Sequence, residues 1–323
     1  MATGGSPLLD WTEGGRANPW YMSRMTRRGL ILFAAMCVIW GIPYLLIRVA
    51  VGELSPATLV FLRTGVGALI LMPVVIARGG LRGIGARWVP LVAFAAAEIG
   101  IPWLMLFTAE QKLSSSLAGL LISAVPLVAT LIAPLFGNRD WIGATGVAGL
   151  VVGMVGVAAI VGFDLRASAP IALMEIGVVV IGYAVGPAIL SRHLTGVPSV
   201  SVIGISLTLC ALAYAPAAIV QWPHAVPSVS VLASVATLAV VCTAVAFLLF
   251  FALIAEIGPV RSTVITYINP AVAAVLGVTV LRESFTFGMA LGFVLVIAGS
   301  VLATRRRSTP ALATERVAEP TDV

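Results

Sequence analysis

The sequence predicts an all-α integral membrane protein whose ten transmembrane helices form two inverted-topology five-helix repeats. Apolar residues make up 60% of the chain and charged residues 10%, against about 45–50% and about 25% in soluble domains. Ten apolar runs of about 20 residues are each long enough to cross the hydrocarbon core of a bilayer. Residues of the first half also recur 143 or 144 positions later, for example Pro43 as Pro187 and Arg139 as Arg282. Such a repeat in an apolar chain is typical of a duplicated bundle of membrane helices.

The apolar runs divide equally between the two halves of the chain. They lie near residues 30–51, 57–77, 88–108, 114–136, 141–163, 170–190, 199–221, 229–254, 259–281 and 284–303. An odd number of spans per repeat means that the second copy enters the membrane from the opposite face. The predicted domains are therefore a polar N-terminal segment (1–28), a first repeat (29–163), a second repeat (164–303) and a disordered tail (304–323).

The distribution of Lys and Arg residues predicts the orientation of the chain in the membrane. With the N-terminus in the cytoplasm, fourteen of the nineteen basic residues face the cytoplasm and three face outside. Short cytoplasmic loops retain positive charge, so both termini are predicted to be cytoplasmic. The net charge of +6 is explained by this topology and by attraction to anionic membrane lipids, and it does not indicate nucleic-acid binding.

The first and sixth predicted spans, which are repeat mates, contain aromatic candidates for a binding site. Trp40 and Tyr44 are four residues apart and therefore share one face of the first helix. Tyr183 lies in the corresponding sixth span. We interpret these three side chains as candidates to line a cavity between the repeats.

Two charged residues lie inside the second and third predicted spans. Arg63 is about six residues inside its span, so its long side chain is expected to reach the outer interface. If Arg63 points inward instead, it is a candidate to bind a substrate carboxylate or to pair with Glu98. Glu98 lies about 15 Å deep, near the midplane. A charge at this depth costs about 2.5–3.5 kcal/mol, so Glu98 is expected to face the bundle interior.

The role of Glu98 has two interpretations. In the first, its carboxyl group carries protons or binds a cationic group of a substrate, as intramembrane carboxylates of transporters do. In the second, it is a neutral acid that hydrogen-bonds to a neighbouring helix and serves only packing. The sequence leaves both open.

Prolines in corresponding spans predict a pair of helix interruptions. Pro126 in the fourth span recurs as Pro270 in the ninth, and each removes a hydrogen bond to the carbonyl four residues earlier. Paired interruptions mark the binding site in many transporters. Ser123, Tyr267 and Asn269 lie beside them and supply neutral donors and acceptors. The alternative is a bend that serves only helix packing.

Glycines are regularly spaced in the fifth and tenth predicted spans. They are Gly143, Gly146, Gly149, Gly153 and Gly156 in the fifth span, and Gly288, Gly292 and Gly299 in the tenth. Small residues at this spacing predict close helix contact, either within one chain or between the two chains of a homodimer.

Residue patterns for catalysis, metal binding and nucleotide binding are missing from the sequence. The two histidines, His193 and His224, are predicted in loops on opposite faces, and no His, Cys or carboxylate cluster has metal-ligand spacing. We therefore predict no catalytic residue, metal or cofactor. A membrane-embedded enzyme acting on lipid or isoprenoid phosphates would need carboxylate or His clusters near the interface. A passive small-solute channel would need a continuous polar pore.

Several segments together resemble the EamA-type branch of the drug/metabolite transporter superfamily. They are Ala109–Leu121 (AEQKLSSSLAGLL) followed by Pro126, Arg282–Glu283 before the glycine-spaced tenth span, Trp40–Gly41, and Ser55–Pro56 before Arg63. The resemblance covers about residues 29–303. It implies a central cavity formed by the inner helices, with the fifth and tenth helices peripheral. It also implies a secondary transporter, often an exporter of amino acids, metabolites or drugs, in a bacterial inner membrane.

The two repeats differ at one position of the family pattern. After the fourth span the family commonly has Glu-Arg-Leu, whereas this chain has Asn138-Arg139-Asp140. Only the second copy, Arg282-Glu283-Ser284, retains the glutamate. The overall expectation is a transporter that moves a small organic solute by alternating access at a midplane site. Its predicted site residues are Trp40, Tyr44, Arg63, Glu98, Ser123, Pro126, Tyr183, Tyr267, Asn269 and Pro270.

Overall fold

A computed structural model of the chain describes residues 26–81, 84–136, 143–162 and 170–304. Within these ranges the protein contains helices and no strand, which confirms the predicted fold class. Nine described helices are long and apolar enough to cross a membrane, and a tenth is shorter. Their bounds are α1 Arg27–Ala50, α2 Pro56–Ala77, α3 Gly85–Glu110, α4 Ser115–Phe136, α5 Ala144–Gly162, α6 Pro170–His193, α7 Ser199–Val220, α8 Val229–Ile257, α9 Ile265–Val280 and α10 Phe287–Thr304. The predicted disordered tail lies outside the described residues except for its first residue.

Hydroxyl side chains begin several of these helices. The first N–H groups of a helix have no partner within the helix, and a Ser or Thr side chain at the cap accepts a hydrogen bond from one of them. Ser55 caps α2 in this way, Ser114 caps α4 and Ser228 caps α8. The caps place the helix starts where the apolar runs begin.

The helix pairs follow the symmetry of the repeat. The α2 helix packs against α7, α4 against α9, and α5 against α10, so each of these helices contacts its own repeat mate. Two further contacts, α1 with α8 and α3 with α6, exchange when the repeats are exchanged. This pattern is that of two halves related by a two-fold axis in the membrane plane.

Consecutive helices alternate in direction, so their connections collect at two ends of the bundle. The two ends differ in charge. At one end, which we call the basic end, lie Arg27, Arg28, Arg78, Arg87, Arg192 and Arg261. At the other, which we call the far end, lie the α1–α2, α3–α4, α7–α8 and α9–α10 connections.

Glycines allow the main chains of α5 and α10 to touch. A Cβ atom added at Gly156 would lie 2.7 Å from the carbonyl oxygen of Gly292, and one at Gly299 would lie 2.5 Å from that of Gly149. The glycine faces therefore pack against each other within one chain, which is the first of the two arrangements that the glycine spacing predicted. A homodimer stays a prediction, and it would have to use the other faces of these helices.

Two matched π-helical turns interrupt α3 and α8. They span Ala95–Gly100 and Val240–Val245, which begin 145 residues apart and so lie at nearly the same place in the two repeats. A π turn widens the helix and redirects main-chain carbonyls, and such turns are frequent at functional sites. In α3, side chains of α7 bond to these carbonyls: Cys210 Sγ donates to Ala95 O at 3.5 Å, and the Tyr214 hydroxyl donates to Gly100 O at 3.0 Å.

The α1 helix is interrupted at residues 40–42, and α9 seals the break. The N–H of Gly41 bonds to Val38 O rather than to Cys37 O. The amide nitrogen of Asn269, turned towards α1, donates to Cys37 O at 3.0 Å. A Cβ at Gly41 would lie 2.5 Å from the Val272 side chain, so only glycine permits this approach of α9.

Replacing Asn269 by leucine is expected to lower the Tm of the ligand-free protein. The change leaves a buried carbonyl without a donor, which costs about 1–3 kcal/mol. Thermal unfolding followed by circular dichroism measures the effect. Thr279→Val is the control, because the exposed Thr279 hydroxyl bonds only to its own helix, at Val275 O. An unchanged Tm combined with lost solute binding would instead assign Asn269 to the substrate.

The prolines interrupt only one of the two predicted helices at the predicted place. In α4 the helix breaks at residues 123–124, and Pro126 lies in the first turn of the next segment. The α9 helix runs through Pro270, and the break lies before α9, at residues 263–264, which separate it from a short helix at Pro259–Ser262. The expectation of an interruption at Pro270 is therefore wrong. A proline removes a single main-chain hydrogen bond, and a helix packed on both sides can continue through it.

Candidate solute-binding site

Arg63 lies inside the bundle, about two helical turns from the far end. Its side chain is only 6% exposed. The Nε group donates to Thr243 Oγ1 at 3.0 Å, and the guanidinium carbon lies 3.8 Å from the centroid of the Trp103 ring. The expectation that Arg63 extends to the membrane interface is therefore wrong. An aromatic face and a hydroxyl group provide interior partners, and a cation gains energy from both.

The π turn of α8 aims the hydroxyl group of Thr243 at Arg63. Thr243 Oγ1 donates its own proton to Leu238 O, five residues earlier, at 2.8 Å. Its lone pairs are thereby left to accept from Arg63. Glu98 is the fourth residue of the π turn of α3, as Thr243 is of the π turn of α8. The two π turns thus carry a carboxyl and a hydroxyl group at the same place within the turn.

The repeat mate of Arg63 is a small polar residue. The 143-residue offset that relates Pro73 to Pro216 relates Arg63 to Ser206. Ser206 is fully buried, and its hydroxyl has no hydrogen-bond partner among the described residues. The site is therefore chemically asymmetric, with its cation supplied by the first repeat alone.

Two predicted aromatic residues join Arg63. Tyr44 is 8% exposed, and Tyr183 is half-buried. Both lie within electrostatic range of the guanidinium group, and the Tyr183 hydroxyl interacts with Trp103. Tyr44, Arg63 and Tyr183 come together as predicted candidates, and Trp103 and Thr243 complete the group. We call these five residues the Arg63 cluster.

Glu98 lies at the α3–α6 interface. A Cβ atom at Gly186 of α6 would overlap its carboxyl group, so glycine is required for this contact. Glu98 Oε2 is buried and has no hydrogen-bond partner within the described part of the chain. The ion pair between Glu98 and Arg63 that the sequence left open does not form, since no carboxylate oxygen of Glu98 lies within 4.0 Å of the Arg63 guanidinium group.

Trp40 is separated from Tyr44 by the break in α1. Trp40 packs on Phe247 and Phe250 of α8, with ring centroids 5.9 and 4.7 Å away. Tyr44 belongs to the main apolar core, whereas Trp40 belongs to a second, smaller cluster. Their predicted common face assumed an unbroken helix.

The other predicted polar residues bond to nearby structure. The Ser123 hydroxyl donates to Leu120 O of its own helix, and the Asn269 amide bonds to the main chain of α1. The hydroxyl of Tyr267 interacts with Thr304 at the end of α10. None of these contacts involves the Arg63 cluster.

One buried carboxyl group was missed in the sequence. Glu110, the last residue of α3, is fully buried, and neither of its carboxyl oxygens has a hydrogen-bond partner among the described residues. It precedes Gln111 and Lys112, a polar context typical of a solvated helix end. No pattern in the sequence marks it as buried.

Two cavities open near the basic end of the bundle. One, of about 290 Å³, is lined by Val75, Arg78, Ser199, Ser201, Phe251 and Ile254. The other, of about 440 Å³, is lined by residues of α4 and α6, including Phe136, Pro187 and Arg192. Neither cavity is lined by the Arg63 cluster, so a route from them to Arg63 requires helix movement.

Comparisons with known proteins agree with this architecture. A model of the EamA-like transporter family matches residues 27–162 and 171–305. A solved structure described as "Crystal structure of protein" is similar with a TM-score of 0.63 and 20% identity, covering 85% of this chain and 96% of that chain. At this identity the likeness shows the fold alone. No curated protein matches the chain. Because the family model matches both halves and most of its length, the chain belongs to the EamA-like transporter family of the drug/metabolite transporter superfamily.

Proposed function

We propose that the chain is a secondary transporter that moves a small organic solute, such as an amino acid, metabolite or drug, by alternating access at a midplane site. We further propose that it works as an exporter in a bacterial inner membrane, with both termini in the cytoplasm. The arginines of the basic end support this orientation. Family membership supports the transport function. The buried Arg63 between the two repeats is the observation that supports a solute-binding site at this place.

The surroundings of Arg63 favour a solute with a carboxylate or similar anionic group. A guanidinium group has five N–H donors, and only Nε is bonded to a described residue. No carboxylate among the described residues lies within 4.0 Å of it. A buried cation without a counter-charge is costly. A solute anion would supply that charge and bidentate hydrogen bonds.

The aromatic residues of the Arg63 cluster fit the rest of such a solute. Trp103 covers one face of the guanidinium group, and Tyr44 of α1 and Tyr183 of α6 lie within electrostatic range of it. Aromatic faces bind apolar portions of ligands, while tyrosine hydroxyls fix their orientation. A small organic acid or a zwitterion with an apolar side group matches this combination.

The repeat symmetry supports alternating access. Exchanging the conformations of two inverted repeats converts a state open to one side into a state open to the other. The matched π turns in α3 and α8 lie where such a change would be absorbed, since they carry Glu98 and the Arg63 partner Thr243.

A ligand screen followed by exchange measurements tests the proposal. Purified protein is heated with amino acids, organic acids and lipophilic cations, and a ligand at one hundred times its Kd stabilises by about 2.7 kcal/mol. Stabilising compounds are then tested for counterflow in proteoliposomes and for chemical conversion by mass spectrometry. Stabilisation by cations alone would contradict the carboxylate specificity. Conversion of a compound would indicate an enzyme, and leakage without exchange would indicate a channel.

Glu98→Gln tests proton coupling at the α3 π turn. We propose that Glu98 carries the proton, so the variant is expected to lose proton-driven accumulation and to retain solute exchange. The measurement is solute uptake in proteoliposomes with and without a pH gradient. Glu256→Gln is the control, because Glu256 lies near the basic end and bonds to Thr26 and Arg28. Undiminished accumulation by the Glu98 variant would remove this role.

A further inference from the structure

A glutamate in the α9–α10 connection ties the two repeats together at the far end. The carboxylate of Glu283 accepts hydrogen bonds from the N–H groups of Ser115 and Ser116, at 2.8 and 2.9 Å. It also accepts from their hydroxyl groups, at 3.1 and 2.6 Å. These donors form the first turn of α4, where an anion is favoured by the helix dipole. We call this contact the Glu283 clamp.

The clamp cannot be repeated at the basic end. The 144-residue offset relates Ser115 and Ser116 to Pro259 and Val260. Proline has no N–H group and neither residue has a hydroxyl, so three of the four donors are lost. The counterpart of Glu283 is Asp140, which lies outside the described residues. The sequence therefore builds a four-bond clamp of this kind at one end of the bundle only.

The buried Glu110 lies five residues before the clamp. Its main-chain oxygen accepts a hydrogen bond from Arg48 Nη1 at 2.6 Å, but its carboxyl oxygens have no donor among the described residues. A charged carboxylate buried without donors is strongly disfavoured. The arrangement fits the neutral acid, with its proton bound.

Charged and titratable groups from four parts of the chain lie within electrostatic range of Glu110. They are Arg48 and Tyr44 of α1, Arg63 of α2, Tyr183 of α6 and Glu283 of the α9–α10 connection. The arginines favour a negative charge on Glu110, whereas Glu283 opposes it. Loss of the proton would place a second negative charge within electrostatic range of the Glu283 carboxylate.

We propose that Glu110 is a proton-binding site that controls the Glu283 clamp. With the proton bound, Glu283 holds the start of α4 and the far end is closed. When the O–H bond of Glu110 breaks and the proton passes to water at that end, the new carboxylate repels Glu283 and the clamp releases α4. The release of α4 does not depend on the proposed transport function. The further step, in which this release opens a route to the Arg63 cluster, rests on that function.

Electron spin resonance distances across the clamp test the proposal without any solute. Spin labels are attached through Gln111→Cys and Ser284→Cys, because both positions are exposed and the natural cysteines are buried. In nanodiscs, a short and narrow distance distribution is expected at pH 5.5 and a longer, broader one at pH 9. Glu110→Gln, which mimics the neutral acid, is expected to keep the short distance at both pH values. Glu283→Gln is expected to give the broad distribution at both.

Glu53→Gln is the matched control. Glu53 also joins the two repeats at the far end, accepting from the N–H and hydroxyl groups of Ser228 at 2.7 and 2.6 Å. The hydroxyl bond and then the N–H bond of Ser228 hold the pKa of Glu53 below its ordinary value, so it stays ionised across the tested range. This variant is expected to retain the full pH response of the labels.

Three results would overturn the proposal. They are a distance that does not change with pH in the parent, a pH response that persists in the Glu110 variant, and a response lost equally in the Glu53 variant. Circular dichroism and gel filtration confirm that each variant is folded. The Tm of the Glu110 variant is also expected to depend less on pH than that of the parent. If the proposal about the Glu283 clamp is overturned, the result of the solute screen does not change. The two proposals can therefore be tested separately.

Discussion

Replacing Arg63 by glutamine is expected to reduce solute affinity at least 10-fold and to stop counterflow. Hydrogen bonds to a charged group contribute about 1.5–3 kcal/mol, which corresponds to roughly a 10- to 150-fold change in Kd. The Tm of the ligand-free protein should hold or rise, because the variant removes a buried cation that has no ion-pair partner among the described residues. Ligand-induced thermal shift and counterflow in proteoliposomes measure the two effects separately.

Two further variants sharpen this test. Arg63→Lys keeps the charge but loses the planar group that lies over Trp103, so it should recover only part of the affinity. Arg87→Gln removes an arginine that bonds to the Thr195 carbonyl at the basic end, and it should bind solute as the parent does. Parent affinity in the Arg63→Gln protein would show that the solute is not held there. A large fall in its ligand-free Tm would show a structural role.

Replacing Gly299 by alanine is expected to destabilise the protein strongly. The added Cβ would lie 2.5 Å from the carbonyl oxygen of Gly149 and would overlap the main-chain nitrogen of Gly153. Main-chain atoms cannot turn aside as a side chain does, so α5 and α10 must separate. Overpacking of this kind costs about 1–3 kcal/mol. A lower Tm and a lower yield of monodisperse protein are the expected measurements.

Gly177→Ala provides the opposite case with the same chemical change. Gly177 lies within α6, and no heavy atom would come within 4 Å of its added Cβ. Alanine is favoured over glycine inside a helix by roughly 0.5–1 kcal/mol. The two substitutions should therefore shift Tm in opposite directions. Equal shifts would mean that the α5–α10 contact does not limit stability.

The fold could be predicted because the features that determine it, apolar runs and a sequence repeat, can be read directly from the sequence. Each span needs a long apolar run, and the repeat offset states which helices are mates. The break before α9 was not predicted, because Thr263 and Val264 lie inside the apolar run from 259 to 281. Hydropathy measures whether a segment can lie in lipid, and it does not report where its main-chain hydrogen bonds are interrupted.

The candidate site could be predicted only in part. Tyr44, Arg63 and Tyr183 are conspicuous in apolar runs, but depth alone does not show which way a side chain points. Arg63 turns inward because Trp103 and Thr243 come from other helices. Glu110 is buried by tertiary structure around the end of α3, where a helix end would ordinarily be solvated. Partners supplied by distant parts of the chain leave no local pattern.

The helix pairing also limits which interfaces must change during a transport cycle. A contact between a helix and its own mate, such as α5 with α10, maps onto itself when the repeats exchange conformations. Such a contact can act as a fixed pivot. The α1–α8 and α3–α6 contacts map onto each other, so each must adopt in one state the geometry that the other has in the opposite state. The geometry of the α3–α6 contact in this structure therefore predicts that of the α1–α8 contact in the opposite-facing state, and the reverse.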